Sequence, residues 1–145
     1  MRAVIQRVKK TSLSVGGQSI SEIEGGLAVY LAVSPADSEK SAELMAKKIA
    51  MLRVFEDGQG KMNLSVQDVR GEVLLISQFT LYGDCSHGNR PSFIGAARPE
   101  QAQPLYERTA EAIAAYGIPV KTGVFGADMQ IEQHNDGPVT ILYDC

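Results

Sequence analysis

Four side chains in a row, Ser77-Gln78-Phe79-Thr80, follow the apolar run Val73-Leu74-Leu75-Ile76. Hydroxyl and amide groups therefore appear where a buried strand emerges, and polar groups at such an end often line a site. A strand fraying into a loop gives the same pattern. The polar stretch that follows, Tyr82 to Gly95, carries Asp84, His87 and Arg90. With Ser77 or Thr80 as nucleophile, His87 and Asp84 compose a hydrolase triad on paper. The triad fails on rigidity, because the base must be held by packing and His87 adjoins Gly88 in a loop. No G-x-S-x-G elbow is present. His134, the other imidazole, falls in an expected strand, where a satisfied structural histidine is the plainer reading.

Metal chemistry has little support. Cys85-Ser86-His87 lacks the ligand number and spacing of a zinc site, and Cys85 and Cys145 form no C-x-x-C, so free thiols are expected. Asn135-Asp136-Gly137-Pro138-Val139-Thr140 reads as a turn between two strands. Gly137 allows backbone to approach a ligand closely, while sequence alone gives no ground for a cis Gly-Pro bond.

The elements that must position these groups begin with strands at Arg2 to Val8 and Thr11 to Val15, a hairpin at Gly16-Gly17, and a strand from Gln18 to Ile23. Leu27 to Val33 is an apolar run of the kind buried on both faces. Ala42, Met45, Ile49 and Leu52 recur at helical spacing, predicting a helix over 38–51 with Asp37 or Ser38 as N-cap. Arg53-Val54-Phe55 and Glu72 to Thr80 return to strand. Pro99 in the first turn and Gly117 past the end bound a second helix over 99–116. Val120 to Val124, Asp128 to His134 and Val139 to Tyr143 complete an alternating tail. The expected fold is α+β, with a large, mostly antiparallel or mixed sheet and two helices.

The 145 residues carry 44% hydrophobic and 21% charged positions, with no linker or repeat, so one domain over 1–145 is expected. No apolar run is long enough for a membrane span and the start breaks off too early for a signal peptide, which makes the cytoplasm the simplest address. The net charge of −3 argues against coating nucleic acid by bulk charge. Arg2, Arg7, Lys9 and Lys10 cluster at the start, and Lys47, Lys48 and Arg53 form a second group. Both read first as solvated charge.

The two segments together carry more than either alone. Ser77-Gln78-Phe79-Thr80-Leu81 and Asn135-Asp136-Gly137-Pro138-Val139-Thr140 resemble the paired signature motifs of D-aminoacyl-tRNA deacylases. The resemblance spans the chain through Met1 to Val8, Phe55-Glu56-Asp57, Gly60 to Ser65, Arg90 to Phe93 and Phe125 to Met129. It implies a barrel-like fold and a homodimeric, cofactor-free hydrolase. The enzyme would cleave the ester between a D-amino acid and the terminal adenosine of tRNA, a chiral proofreading step. Ser77, Gln78, Phe79 and Thr80 would be its catalytic segment. Gly137 and Pro138, joined in cis, would reach into the partner's pocket, held there with the help of Arg7, and Met129, Val139 and Thr140 would be further supporting residues. Ser77 and Phe79 match the D-selective members. The loop with His87 and Asn89 departs from relatives, in which it is usually more basic, although Arg90 is retained.

The physical logic can be stated separately. Once amine and carbonyl are fixed, swapping enantiomers exchanges the side chain with hydrogen, so a rigid backbone wall vetoes the L form. The carbonyl oxygens of Gly137 and Pro138 suit an ammonium, because backbone does not rotate away. Excluding abundant L competitors matters more than gripping the D side chain, and glycine escapes the veto. Amides around Phe79 and Thr80 are the candidate oxyanion contacts. Gln78 and Ser77 orient substrate or water, Phe79 packs on adenosine, and Thr80 positions, with the ribose 2′-hydroxyl assisting. A few cations such as Arg2, Lys9, Lys10 or Arg90 would meet the tRNA backbone. The competing readings are a small-molecule Ser/Thr–His esterase and a non-catalytic dimeric module that binds nucleotide or protein.

Overall fold

The computed structural model describes residues 1–145. Its chain order is β1 (Arg2–Val15), β2 (Gln18–Ile23), β3 (Gly26–Ala32), α1 (Glu39–Met51), β4 (Phe55–Glu56), β5 (Met62–Leu64), β6 (Glu72–Ser77), α2 (Pro99–Ala114), β7 (Val120–Thr122) and β8 (Gln130–Asp144). The α+β expectation, with two helices and a mixed sheet, is borne out.

β1 organises the sheet. Its alternation buries Ala3 and Ile5 in the core shared with the helices, and past the irregularity at Arg7 and Val8 it buries Val8 and Leu13 in a second, smaller cluster. One edge pairs antiparallel with β3 over Arg2–Val8 and with β2 over Thr11–Val15, while β8 lies antiparallel along the other edge. The two strands expected at 2–8 and 11–15 are thus one. A register shift between Val8 and Lys10 lets it continue. β3–β6 and β6–β7 pair in parallel, and the crossovers between them are α1 and α2. A parallel pair needs such crossovers, which is why the helices interrupt the strands in sequence.

Because helices cover one face of the central strands and the curled sheet covers the other, β3 and β6 are apolar on both. Leu27, Val29, Leu31, Val73 and Leu75 join the core beneath the helices. Ala28, Leu74 and Ile76 point the opposite way, into a smaller cluster with Val8, Leu13 and Ile23. The sheet curls into a barrel-like form: Ser21 Oγ donates to the Thr122 carbonyl (2.7 Å) and Lys121 Nζ to the Glu22 carbonyl (2.6 Å), drawing β7 towards β2.

Other boundaries move for local reasons. The strand expected over 72–80 stops at Ser77, because β3, its parallel neighbour, ends alongside it. The chain then winds into a 3₁₀ turn, Phe79–Tyr82. Arg53-Val54-Phe55 contributes only Phe55 to strand, in a separate hairpin of β4 and β5. α2 ends at Ala114, and Gly117 donates to the Ala114 carbonyl at 2.8 Å with φ +78°. The largest revision concerns 135–140, which is no turn between strands but part of β8.

Gly26 opens β3 with φ +156°, and a Cβ there would lie 1.9 Å from the backbone oxygen of Glu72. The start of the β3–β6 ladder therefore requires glycine. Gly26→Ala is expected to lower unfolding free energy by about 3 kcal/mol or more, the range of severe backbone and overpacking changes. Thermal denaturation read by circular dichroism would show a midpoint roughly 6–12 °C lower for a chain of this length.

Candidate active site

β3 and β6 end together, with Leu31 opposite Ser77. Ligands of sheets with parallel strands settle beyond the strands' carboxyl ends, and a cavity of about 820 Å³ opens there. Its wall comes from those two ends, the segment from Phe93 into α2, and the loop from Phe125 to Met129. Fifteen of its 21 lining residues are hydrophobic, so the few polar groups facing it stand out. Ser77, Gln78 and Phe79, the expected catalytic residues, and Met129, an expected supporting residue, are among the lining residues. Phe79, 57% exposed, meets Phe93 edge-on with centroids 5.1 Å apart.

The 3₁₀ turn places backbone donors beside this wall. Its first internal bond runs from Leu81 N–H to the Gln78 carbonyl (3.2 Å). The amides of Phe79 and Thr80 precede that bond and lie outside the turn's own ladder. Gln78 N–H is already spent on the Leu31 carbonyl, at 2.8 Å. The Gln78 side-chain amide donates to Thr80 Oγ1. Thr80 itself is not part of the cavity wall. Arg2, first read as a surface cation, braces the turn from behind: Nη1 donates to the Leu81 carbonyl (3.0 Å), Nε to Asp144 Oδ1 (2.8 Å), and the guanidinium stacks 4.9 Å from the Tyr82 centroid.

No side chain here is a ready general base. Asp84 accepts the Ser86 N–H at 2.9 Å, a bond that holds its carboxyl below the usual range, and its backbone pairs with Ser92. His87 is exposed in the intervening loop. His134 is exposed on β8, correcting the expectation of a satisfied structural histidine. Tyr106 donates to the Leu75 carbonyl (2.8 Å), and burial pushes its hydroxyl up to about 12, so it stays protonated. No group of three or more His, Cys, Asp or Glu residues is arranged to hold a metal ion.

Gly137, Pro138, Arg7, Val139 and Thr140 lie elsewhere in the protomer and do not line the cavity. Between the Gln6–Thr140 and Val8–Asn135 pairs, β1 has one residue, Arg7, and β8 has four, Asp136 to Val139. The surplus bulges outward, with Gly137 and Pro138 exposed and the bond between them cis. Arg7 is only 6% exposed. Its Nη1 donates to the Val54 carbonyl (2.7 Å) and its Nε to the Asp136 carbonyl (3.2 Å). Ion pairs run to Asp136 Oδ2 (3.2 Å) and Glu56 Oε1 (3.9 Å). Gly137 has φ +123°, and a Cβ there would meet the Val139 nitrogen at 2.9 Å and Arg7 Nη2 at 3.3 Å. The bulge therefore admits only glycine at this point.

Of the cations singled out in the sequence, Arg2, Lys9 and Lys10 are paired with Asp144, Asp136 and Glu22. Sequence reasoning missed Tyr106, Phe125 and Arg98 as cavity residues. Phe125 at least sits in a motif carrying the resemblance, whereas Arg98 had no signal beyond a helix start beside it.

The fold and this cavity define an α+β protein with a largely apolar pocket whose wall carries an aromatic pair and a few polar groups. The family model described as D-Tyr-tRNA(Tyr) deacylase matches residues 4–144. A protein of Fervidobacterium nodosum named D-aminoacyl-tRNA deacylase is 54% identical over 144 residues, covering 99% of this chain and 97% of its own. One of the same name from Thermus aquaticus is 53% identical over 144 residues, covering 99% and 95%. A solved structure called c-Myc DNA Unwinding Element Binding Protein is 44% identical with TM-score 0.92, over 100% of this chain and 99% of that one. Another, described as a probable eukaryotic D-amino acid tRNA deacylase, is 18% identical with TM-score 0.84 over 99% and 98%, a likeness of fold. The chain belongs to the D-Tyr-tRNA(Tyr) deacylase family and is an enzyme.

Removing the Arg7 guanidinium leaves the Val54 carbonyl without its donor and the half-buried Asp136 carboxylate with only Lys9. Arg7→Ala is expected to cost about 2 kcal/mol, the range for leaving a buried acceptor unpaired, since the partly exposed Asp136 is hydrated in its place. Urea denaturation would show it as a lower midpoint with an unchanged slope.

Proposed function

We propose that this protein hydrolyses the ester between a D-amino acid and the 3′-terminal adenosine of tRNA. The single observation that carries the reading is the Ser77–Phe79 segment lining an apolar cavity large enough for an aminoacylated nucleoside, with the amides of Phe79 and Thr80 unspent in the turn that begins there. In this reading the protein is a homodimer, and the Gly137–Pro138 bulge of one protomer enters the cavity of its partner. A strand that pushes four residues outward, clamps them with a buried guanidinium and leaves their tip exposed is suited to that use. Leu142, 76% exposed on the same strand and paired with Val4, supports a second copy covering this face.

The Gly137 and Pro138 carbonyls accept the substrate ammonium, and the bulge occupies the space an L side chain needs. Glycyl esters pass because hydrogen stands there in both senses. The ester oxygen receives the Phe79 and Thr80 N–H groups as negative charge develops. Water adds to the carbonyl carbon, and its proton travels by way of the ribose 2′-hydroxyl to the departing 3′-oxygen. Gln78 and Ser77 orient the ester, and Phe79 with Phe93 packs on the adenine. Thr80 positions Gln78 through their hydrogen bond. Met129 lines the cavity, while Val139 and Thr140 end the bulge. Such a substrate places the work in the cytoplasm, where aminoacyl-tRNA circulates. The exposed, unheld His87 removes the support for a Ser/Thr–His esterase.

Purified protein is expected to release D-tyrosine from charged tRNA at least about a hundredfold faster than L-tyrosine, a difference of roughly 2.7 kcal/mol in barrier. Preferential release of the L form would contradict the reading. Thr80→Ala should keep measurable turnover, about tenfold reduced, consistent with a positioning role. Complete loss together with a trapped acyl-Thr80 species would show a covalent mechanism instead.

A further inference from the structure

The cavity wall carries only two charged residues, Arg98 and Asp128, among its 21. Arg98 is the one cation. Six of the chain's 14 Lys and Arg residues, namely Arg2, Arg7, Lys9, Lys10, Arg108 and Lys121, have a carboxylate within 4.0 Å. Arg98 has none. Its side chain is exposed at the rim, yet its backbone is fixed on both sides. Ala97 N–H donates to the Val33 carbonyl at the end of β3 (2.8 Å), and the Arg98 carbonyl accepts from Gln101 (3.0 Å) and Ala102 (2.9 Å) in the first turn of α2. The exposed side chain therefore stands on a fixed stretch of backbone at the cavity wall, with no hydrogen-bond or carboxylate partner in the chain.

From this placement we infer that Arg98 forms a phosphate subsite, taking the 5′-phosphate of the terminal nucleotide of the substrate. The inference rests on the function proposed above and adds to it. An aminoacylated nucleoside is held by its base and its ester, and nothing in those contacts distinguishes a polynucleotide end from a free nucleoside. Phe93 supplies the base platform with Phe79, and the turn that follows, closed by Ala96 N–H to the Phe93 carbonyl (3.0 Å), brings the chain round to Arg98. One short segment thus offers an aromatic edge and a free guanidinium to one ligand, matching a nucleotide's base and its phosphate. Guanidinium suits a phosphate because its donors form a planar fork. A solvated surface arginine, the alternative, would be indifferent to phosphate on the ligand.

The test uses two small substrates that differ only in that group: 2′(3′)-O-D-tyrosyl adenosine and the same ester of adenosine 5′-monophosphate. For the wild-type protein kcat/KM is expected to favour the phosphorylated ester by about tenfold or more, the range for one charge-assisted contact at a partly exposed site. In Arg98→Ala that ratio should fall to near one, and Arg98→Lys should restore part of it. The ratio is internal to each protein, so it is insensitive to how much of a variant folds. A wild-type ratio near one, or a ratio that persists in Arg98→Ala, would overturn the subsite while leaving the deacylase reading intact. Hydrolysis of neither D ester by the wild type would instead overturn that reading and the subsite with it.

Discussion

A buried guanidinium opposite a strand that is three residues too long is the constraint from which the rest of the arrangement follows. Arg7 alone faces Asp136 to Val139, and the ladder closes on both sides of that mismatch. The excess backbone cannot lie flat in the sheet, so it stands out from it. Left alone, such a bulge would sample many shapes. Arg7 removes that freedom by bonding the Asp136 carbonyl and carboxylate together with the Val54 carbonyl. The cost of burying the charge is offset by those acceptors. The same guanidinium approaches the position a Cβ on residue 137 would take, which ties the choice of glycine to the presence of arginine.

The second consequence is a division of labour between the two edges of the fold. The parallel pair β3–β6 terminates at a cavity, as open parallel strands do, and its two-sided burial makes that end rigid. The antiparallel pair β1–β8 carries the bulge. Arg2 links the two: it starts β1, pairs with Asp144 at the end of β8, and bonds the Leu81 carbonyl in the turn that leaves the cavity wall at Phe79. In the proposed mechanism, backbone more than side-chain acid or base acts on the substrate. That agrees with a chain in which Asp84 is engaged locally, His87 is free at the surface and Tyr106 is locked in its protonated form.

How far this was legible in the sequence depended on whether the signal was local. α1 was placed within a residue, 39–51 against 38–51, because apolar spacing and an N-cap are local facts. Pro99 marked the start of α2 for the same reason. The polar segment after Ile76 was visible because a composition change marks a strand end. Asn135-Asp136-Gly137-Pro138 misled, since its local chemistry is that of a turn, and only the pairing of β1 on both sides of it makes one strand of 130–144. The contact between Arg7 and Val54 joins residues 47 apart and left no periodic trace. Arg98 was equally silent, as its meaning comes from what it stands beside.

The central claim is that the bulge of one protomer completes the cavity of the other, and a mixed dimer tests it most directly. Co-expressed protomers, one carrying Gly137→Ala with an intact cavity and the other Gln78→Ala and Phe79→Ala with an intact bulge, would be assayed for D-tyrosine release against each homodimer alone. The account predicts that both homodimers are inactive. The mixture should recover about a quarter of wild-type activity, because half the dimers then hold one complete site. A mixture as inactive as its parents, although heterodimers are isolated from it, would contradict a shared site.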